Sequence, residues 1–520
     1  MTPMLALYVV LGILGYEVVR YLVVRAVRSR LRRSAWDFVE RHRVRIDPFK
    51  FGGRLLIRHE LANDLEIEQA MLQAVRERGL TLEQARDLVQ EWIDEMAPRF
   101  SLATYIKIGT RVAAAALKTA FNPVVDHENL HKVETGLPAD AVRVYMINHR
   151  SNFDYILVSY ALHQRIALSW AVGEWARVWP LETLFKAFGA FFIRRKFKDP
   201  LYHTCLRRYV QLITKRGVTQ GFFPEGMLSR DGSFNEARVG LLDYILLVKK
   251  DPEFRKDIRL IPVGVQFDRV VEDEMLVAEK QGRERPPTVV EKLVSFLTLT
   301  FYRFPRAVTL NLLRIVLRRP FRQGYAAISF GEPVSIDAWL ADHPGVLDLE
   351  KTARQAEVKR LAQSLMDRIA KVVPATPVPL VCRALLEGDG DPFAAPVARS
   401  DLVARLGALR KRLRADAVPV IGGSEFEGTA AARRKLEATT ESGARRPELA
   451  QVEGELLETE EAETTLRLGV DVLRRRRILA AGDGHVRLEP LARPIYEYYA
   501  RSLPTLPALG VPVKAPAGAA

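Results

Sequence analysis

Two kinds of hydrophobic pattern alternate along the middle of the chain. Between about residues 126 and 335, short apolar runs typical of β-strands alternate with stretches whose apolar residues recur every three or four positions. Val142 to Ile147 is one such run, and residues 153–164 show the helical pattern. The alternation predicts an α/β domain.

The flanking regions follow other patterns. Residues 35–120 combine mixed charge with apolar residues at helical spacing, which predicts a helical domain. Beyond about residue 375 prolines break the pattern, and low-complexity sequence fills Gly422 to Glu463. The final part predicts a helix, a turn at Gly482 to Gly484 and an aromatic helix, which could form a small α+β unit.

The first 33 residues join an apolar stretch to a basic run. Pro3 to Val24 could span about 30 Å of hydrocarbon, although Glu17 and Arg20 interrupt it. These two lie three apart on one helical face and could pair. A signal peptide would carry its positive charge before the apolar region. We therefore predict a membrane anchor, spanning or monotopic, with a soluble core helix as the alternative.

Five segments follow from these patterns. They are an anchor with its basic flank (1–33), a helical domain (34–125), an α/β catalytic domain (126–375), an accessory domain with a low-complexity insert (376–512) and a tail (513–520). The arginines after the anchor predict that the bulk of the chain lies on the cytoplasmic side.

Composition narrows the possible partners. The chain has 520 residues, of which 48% are hydrophobic and 27% charged, as in ordered proteins. A net charge of +15 favours an anionic partner: a membrane surface, a phosphorylated substrate or nucleic acid. Cys205 and Cys382 are the only cysteines, so neither a disulfide framework nor a zinc site is expected, and a reducing location fits.

Two basic stretches leave alternatives open. Val289 to Arg319 is apolar and basic together, which fits a buried helix pair with a basic edge or a surface that sits on anionic lipid. Arg474 to Arg477 precede a predicted hairpin. That order is compatible with a winged DNA-binding module, although a packed accessory domain with a solvated arginine face is favoured.

The candidate chemistry begins at His149 and Asp154. The histidine ends an apolar strand-like run, and the aspartate, five residues later, begins a helical pattern. With the histidine in the turn, the carboxylate can reach one imidazole nitrogen and leave the other to take a substrate proton. His59 and Asp64 have the same spacing, but they lie in a polar helical stretch. We interpret that second pair as a solvated face.

Three further clusters end strand-like runs, where ligands gather in open α/β sheets. Gly189 to Arg195 ends in two arginines, which match a phosphate bidentately, although an isolated arginine pair usually faces solvent. Glu225 lies between a proline and a glycine on a tight turn; it could bind a polyol hydroxyl or be an ordinary turn residue. Pro262 interrupts an apolar strand, which predicts an edge or a bulge beside a site.

The order of these clusters resembles the membrane-bound glycerol-3-phosphate acyltransferase family, which includes dihydroxyacetone-phosphate acyltransferases. NHRSNFD resembles the family's His-x4-Asp block, GAFFIRR its second block, FFPEG its third and IPVGVQFDRVVEDE its fourth. The resemblance covers roughly residues 35–510 and is sharp between about 145 and 335. It implies an α/β fold with an acyltransferase-type catalytic domain between a helical domain and an accessory α+β unit.

The resemblance also implies residue roles. His149 would be the general base, and Asp154 would orient it. The residues that would bind substrate lie in the later blocks. Arg194, or Arg195 as the second candidate, would bind the phosphate; the others are Glu225, Gly226, Ser229, Arg230 and, near the acyl donor, Pro262. Relatives usually have an arginine where this chain has Leu228, so one phosphate-binding arginine is missing.

The expected activity is transfer of a fatty acyl group from acyl-CoA or acyl carrier protein to the 1-hydroxyl of glycerol 3-phosphate, the first step of phospholipid synthesis. Attack would be direct, with Ser151 as a helix N-cap and with no metal or further cofactor. Alternatives are acylation of dihydroxyacetone phosphate or 1-acylglycerol 3-phosphate, or a non-catalytic basic binding protein. We expect contact with anionic lipid at the cytoplasmic face of the inner membrane. Nucleic acid is not expected, because aromatic residues are only 8% and the basic residues are dispersed.

Overall fold

The structure is a computed structural model of the 520-residue chain. It describes residues 49–98, 100, 105, 110–163, 165–166, 168–173, 181–194, 197–282, 322–388, 390–421, 447–482 and 484–507, and most residues between 17 and 41. The predictions for residues 1–16, for Arg195, for the whole of Val289 to Arg319 and for the first part of the low-complexity stretch therefore lie outside the described residues.

The described residues near the N-terminus are helical, and the side chains of Arg20 and Glu17 form the ion pair that their spacing predicts, with 2.6 Å between nitrogen and oxygen. Both side chains are exposed. Among the described parts of the chain, no helix combines the length and the apolar character needed to cross a bilayer.

Contacts divide the chain into two compact units. The first contains residues 1–114 and 159–220. Its helices are α1 (Phe49–Ala62), α2 (Leu65–Arg78), α3 (Leu82–Met96), α7 (Leu181–Ala187) and α8 (Pro200–Lys215), and its strands β3 (Ser169–Gly173) and β4 (Phe191–Ile193) pair in parallel. Side-chain caps begin the helices: Asp64 accepts from two backbone N–H groups of α2, and Thr81 forms a capping box with Gln84 at α3.

The second unit contains residues 115–158 and 221–520, and its core is a mixed sheet. The strands follow the order β1-β7-β6-β2-β5, with β8 also paired to β6. They are β1 (Asn122–Val125), β2 (Val142–Ile147), β5 (Gln220–Phe222), β6 (Ile258–Phe267), β7 (Tyr325–Phe330) and β8 (Val334–Ser335). Every residue of β2 is buried, which explains its unbroken apolar character, and β2 runs parallel to β6.

Helices in this unit connect and cover the strands. They are α5 (His127–Thr135), α9 (Gly240–Leu246), α10 (Asp273–Lys280), α11 (Ile336–Asp342) and α12 (Lys351–Val372). Two further helices cross the boundary between the units: α4 (Thr110–Ala120) and α6 (Asp154–Leu162). The predicted α/β class is confirmed.

The C-terminal part is an α+β arrangement, as predicted. Helices α13 (Pro377–Leu386), α14 (Arg399–Ala415), α15 (Pro447–Arg475) and α16 (Arg493–Arg501) accompany a three-stranded antiparallel sheet of order β10-β11-β9 (Leu479–Gly482, His485–Leu488, Val397–Ala398). The low-complexity sequence after Pro447 is helical. The predicted solvated arginine face is wrong for Arg476, whose buried guanidinium binds Asp273 at 2.6 Å.

Candidate active site

The turn between β2 and α6 brings His149 and Asp154 together. His149 follows the end of β2, and Asp154 is the first residue of α6. The imidazole Nδ1 lies 2.8 Å from Oδ2 of Asp154, so the contact that the spacing predicts is present. The same oxygen accepts from the backbone N–H groups of Arg150 at 2.7 Å and Ser151 at 3.1 Å. These donors hold the carboxylate of Asp154 against the turn.

Burial dominates the electrostatics of this pair. It raises the pKa of Asp154 to about 8, while the two backbone N–H groups and the charge of Arg150 act in the opposite direction. In its ionised form, which the two backbone N–H groups favour, Oδ2 of Asp154 accepts from Nδ1–H and so holds the proton on that nitrogen. The predicted proton transfer with a substrate would then use the opposite nitrogen, Nε2.

Aromatic rings hold the imidazole in place. The His149 ring stacks on Phe223, with 3.9 Å between centroids, and meets the edge of Tyr155 at 6.1 Å. Phe223 belongs to the FFPEG cluster that follows β5. Two of the four sequence clusters are therefore in direct contact.

Glu225 ties the same two clusters together through hydrogen bonds. It is fully buried; Oε1 accepts from the backbone N–H of His149 at 2.8 Å, and Oε2 accepts from the backbone and side chain of Asn235 at 2.8 and 3.1 Å. Burial raises the pKa of Glu225. The geometry gives this residue a positioning role, and binding of a substrate hydroxyl stays a prediction.

The residues after Glu225 surround the histidine loop. Gly226 has a φ of +71°, and a Cβ there would lie 3.0 Å from Cγ of Arg238, which explains the glycine. Buried Ser229 donates its N–H to the carbonyl of His149 at 3.3 Å and its hydroxyl to Ser233 at 2.6 Å. Arg230 is partly exposed and pairs with Glu279 at 2.7 Å. Their roles toward a phosphate stay predictions.

Arg194 lies in the first unit, in an acidic setting that the sequence did not reveal. Its guanidinium binds buried Glu95, with Nη2 2.6 Å from Oε2, and also Glu91 at 3.2 Å. The hydrogen bonds to Glu95 raise the pKa of Arg194. A substrate phosphate would have to compete with these two carboxylates, and the predicted phosphate-binding role stays a prediction.

Pro262 does not lie on an edge strand, so the edge alternative is wrong. β6 pairs with β2 on one side, where Pro262 is level with Met146, and with β7 and β8 on the other. Pairing with β7 ends at Val263, and pairing with β8 begins at Leu260. Pro262 occupies the interval between the two partners, and its carbonyl accepts from Gly331 at 2.8 Å. The missing N–H is tolerated because the ladder changes partner there.

Several groups that hold the histidine loop were missed at the sequence level. The side chain of Asn148 donates to the carbonyl of Val265 at 3.0 Å and accepts from its N–H at 2.7 Å. Glu272 accepts from the hydroxyl of Ser151 at 2.8 Å and from the backbone and side chain of Asn152 at 3.2 and 3.0 Å. The acidic end of the fourth cluster was the available signal for Glu272.

Ser151 does not occupy the predicted N-cap position, since α6 begins at Asp154. Its hydroxyl accepts from the N–H of Phe153 at 3.1 Å while donating to Glu272. Within the described ranges, no group of three or more histidine, cysteine, aspartate or glutamate side chains is arranged to hold a metal ion.

Comparisons with known families match two parts of the chain. Residues 124–266 match the family described as acyltransferase, and residues 309–463 match the glycerol-3-phosphate acyltransferase C-terminal region. Together the two matches cover more than half of the chain. The first match contains His149, Asp154, Arg194, Glu225 and Pro262.

Two individual comparisons are as follows. The chain is 26% identical over 373 residues to a protein named glycerol-3-phosphate acyltransferase from Aeromonas hydrophila subsp. hydrophila. That alignment covers 70% of this chain but only 43% of the relative, so the chain spans less than half of the relative's length. A crystal structure of the 1-acyl-sn-glycerophosphate acyltransferase from Thermotoga maritima, 15% identical, aligns over 61% of this chain and 97% of that one with a TM-score of 0.28.

Proposed function

We propose that the chain is a member of the glycerol-3-phosphate acyltransferase family and that it transfers a fatty acyl group from a thioester to the 1-hydroxyl of glycerol 3-phosphate, as its two family matches and its relative suggest. The observation that carries the proposal is the buried contact of 2.8 Å between His149 Nδ1 and Asp154 Oδ2, inside the acyltransferase match. A carboxylate-oriented imidazole is a general base suited to activate a hydroxyl.

The proposed reaction has one acyl-transfer step. Nε2 of His149 takes the proton of the acceptor hydroxyl as that oxygen attacks the thioester carbonyl, and Asp154 stabilises the imidazolium that forms. The carbon–sulfur bond then breaks, and the leaving thiolate takes the proton back. Both substrates have to be bound together, so that the attack is effectively intramolecular. The thioester is a co-substrate, and the scheme uses neither a metal nor a further cofactor.

The environment of the possible nucleophiles favours direct attack. Ser151 donates its hydroxyl hydrogen to Glu272, not to His149. Burial raises the pKa of the Cys205 thiol to about 12, and it also raises the pKa of Cys382, so neither supplies a thiolate near neutral pH. A covalent acyl-enzyme therefore has no activated nucleophile among the described residues near this pair.

Binding of the acceptor is assigned to cationic and polar groups near the later clusters. Arg230 and Ser229 lie in the loop that contacts His149 through Ser229, and Arg194 with Arg195 remain the proposed phosphate ligands of the second cluster. We further propose that the protein works at the cytoplasmic face of an inner membrane, with its excess positive charge toward anionic lipid. The acyl donor is acyl-CoA or acyl carrier protein.

A matrix of substrates tests the proposal. The full-length protein in detergent would be assayed with acyl-CoA and acyl carrier protein thioesters against glycerol 3-phosphate, dihydroxyacetone phosphate and 1-acylglycerol 3-phosphate. We expect the highest kcat/KM with glycerol 3-phosphate. A preference for either other acceptor would overturn the substrate assignment, and no transfer in any combination would overturn the activity and favour a non-catalytic binding protein.

A further inference from the structure

The turn that carries Glu272 is itself held by a residue near the C-terminus. Residues 270–273 connect β6 to α10, and the N–H of Asp273 closes them into a turn by donating to the carbonyl of Val270 at 3.4 Å. Tyr499, in α16, is completely buried. Its hydroxyl accepts from the N–H of Val270 at 2.9 Å and donates to the carboxylate of Asp273. One phenol oxygen thus binds both ends of the turn.

The carboxylate that accepts from Tyr499 is also bound by an arginine. Nη1 of Arg476, in α15, lies 2.6 Å from Oδ2 of Asp273, and Nη2 lies 3.0 Å from Oδ1. A bidentate pair of this kind fixes the carboxylate in direction as well as in charge. Burial raises the pKa of Tyr499 well above its ordinary value, so the hydroxyl keeps the proton that it donates. The start of α10 is therefore fixed to both α15 and α16.

The side chain of Glu272 extends from this turn to the histidine loop, which comprises residues 148–154. Oε2 accepts from the hydroxyl of Ser151 at 2.8 Å, and Oε1 accepts from the N–H of Asn152 at 3.2 Å. The N–H of Ser151 donates to Oδ2 of Asp154 at 3.1 Å, and this is the oxygen that contacts the histidine. Hydrogen bonds and short backbone segments therefore connect the phenol in α16 to the catalytic carboxylate.

The end of α16 meets the histidine loop at a second place. The carbonyl of Ser502 accepts from Nη2 of Arg150 at 3.3 Å and from the side chain of Gln266 at 2.8 Å. A Cβ at Gly232 would lie 1.8 Å from the carbonyl oxygen of Tyr498, so the backbone of α16 is packed directly on that loop. Contacts on two sides thus hold the end of this helix.

The same helix carries a matched tyrosine with a different partner. Tyr496 is as completely buried as Tyr499, and its hydroxyl donates to the carbonyl of Ile478 at 2.7 Å. Among the described residues, this hydroxyl binds no group of the turn at 270–273. A comparison of the two tyrosines therefore separates the support of the turn from the packing of the helix.

We propose that Tyr499 is a positioning residue for acyl transfer and that it acts through Glu272. Its hydroxyl fixes the turn of residues 270–273, and Glu272 in that turn holds the histidine loop in its catalytic geometry. The catalytic purpose of this role rests on the proposed function, whereas the contacts do not. The role makes α16, which follows Val270 by 229 positions at Tyr499, a part of the support of the catalytic pair.

The test compares Tyr499→Phe with Tyr496→Phe in the full-length protein. Each variant removes one buried hydroxyl from α16, so both should lower the melting temperature by similar amounts. Only Tyr499→Phe frees the turn, and we expect it to lower kcat by about two- to tenfold. The KM values for both substrates should stay within about twofold of the wild type. A wild-type kcat in Tyr499→Phe, or an equal loss in both variants, overturns the proposal.

A double-mutant cycle tests whether Tyr499 acts through Glu272. If it does, Tyr499→Phe combined with Glu272→Gln should lose about as much kcat as the more impaired single variant. Independent contributions to kcat would multiply the two losses instead. A product of the two single losses in the combined variant therefore overturns the proposal.

Amide hydrogen exchange, followed by mass spectrometry, measures the support of the histidine loop without any activity. Peptides that contain residues 148–154 should exchange about two- to tenfold faster in Tyr499→Phe than in the wild type, because the loop opens more often. In Tyr496→Phe the same peptides should exchange at the wild-type rate. An unchanged rate in folded Tyr499→Phe overturns the role.

The outcomes separate this role from the proposed function. If the wild type transfers no acyl group to any acceptor, the proposed function fails, and hydrogen exchange alone decides the role of Tyr499. If Tyr499→Phe does not fold, Asp273→Asn takes its place, because it removes the charge that the Tyr499 hydroxyl binds at one end of the turn. Faster exchange of residues 148–154 in that variant supports the role, and an unchanged rate overturns it.

Discussion

His149–Asp154 and His59–Asp64 have the same spacing of five residues and different surroundings. His149 follows a buried strand, and Asp154 begins a helix, so the turn folds the carboxylate onto Nδ1. His59 lies exposed in the last turn of α1, and Asp64 caps α2 by accepting from the N–H groups of Glu66 and Ile67. The carboxylate of Asp64 also pairs with Arg208 at 2.6 Å. The element that precedes the histidine decides which group the aspartate binds.

The comparison also shows how burial changes the role of a carboxylate. Asp64 is satisfied by helix N–H groups and an arginine, which makes it a cap that stabilises the fold. Asp154 is buried, with its pKa raised to about 8, so its charge costs stability and is available to orient the imidazole. We therefore expect changes at Asp154 to affect activity and changes at Asp64 to affect stability.

Among the variants that test the contrast between Asp154 and Asp64, Asp154→Asn is expected to lose the most activity. The amide oxygen still accepts hydrogen bonds from the backbone N–H groups, but the amide favours the wrong tautomer of His149. We therefore expect kcat to fall by about 10³- to 10⁴-fold, as in other histidine–carboxylate pairs. Steady-state acyl transfer by purified protein measures it. A loss smaller than tenfold would mean that Asp154 does not orient His149.

A smaller loss of activity is expected for Glu272→Gln. This change weakens hydrogen bonds that hold the loop after His149, but it leaves the His149–Asp154 contact in place. Loss of one acceptor for Ser151 or Asn152 corresponds to about 0.5–1.5 kcal/mol, or roughly a two- to tenfold fall in kcat. Glu274→Gln, at an exposed position two residues later in α10, is the control and should keep the wild-type kcat. Equal losses in both variants would contradict a specific role for Glu272.

The pH dependence of stability gives a third contrast. The pKa of Asp154 is about 8 in the folded state and 3.8 ordinarily, so between these values the folded state keeps a proton that the unfolded state has lost. Below pH 4 the contribution of Asp154 to the free energy of unfolding is fully present. As the pH rises from about 4 to 8 this contribution is lost, by up to about 1.4 kcal/mol per pH unit. The melting temperature of the wild type should therefore fall relative to Asp154→Asn between pH 5 and 8. A difference that is constant with pH would contradict the raised pKa.

The smallest effect, on stability alone, is expected at the His59–Asp64 pair. Asp64→Ala removes a helix N-cap and the partner of Arg208, which lowers the free energy of unfolding by about 1 kcal/mol. Urea denaturation measures it, and the kcat of the folded protein should not change. A large loss of activity with an intact fold would show that the second pair is more than a cap.

The sequence predicted the features that depend on neighbours in the chain. The buried strand before His149, the helix that begins at Asp154 and the tight turn at Glu225 with its glycine all follow from local patterns. The interior position of Pro262 did not, because it depends on how β7 and β8 share one side of β6.

Contacts between distant segments could not be predicted for the same reason. Glu225 meets the N–H of His149 across 76 positions, Arg194 meets Glu95 across 99, and Arg150 meets Ser502 across 352. Nothing in the composition of these segments marks the partner. Packing of the strands and helices is what brings Glu95 to Arg194.

The most direct test of the central claim is acyl transfer by His149→Ala and His59→Ala, two variants that remove the same side chain from the same spacing. The account predicts that His149→Ala abolishes transfer to glycerol 3-phosphate, while expression and melting temperature show a folded protein, and that His59→Ala keeps most of the wild-type kcat/KM. Activity that survives in His149→Ala, or an equal loss in both variants, would contradict the assignment of His149 as the general base.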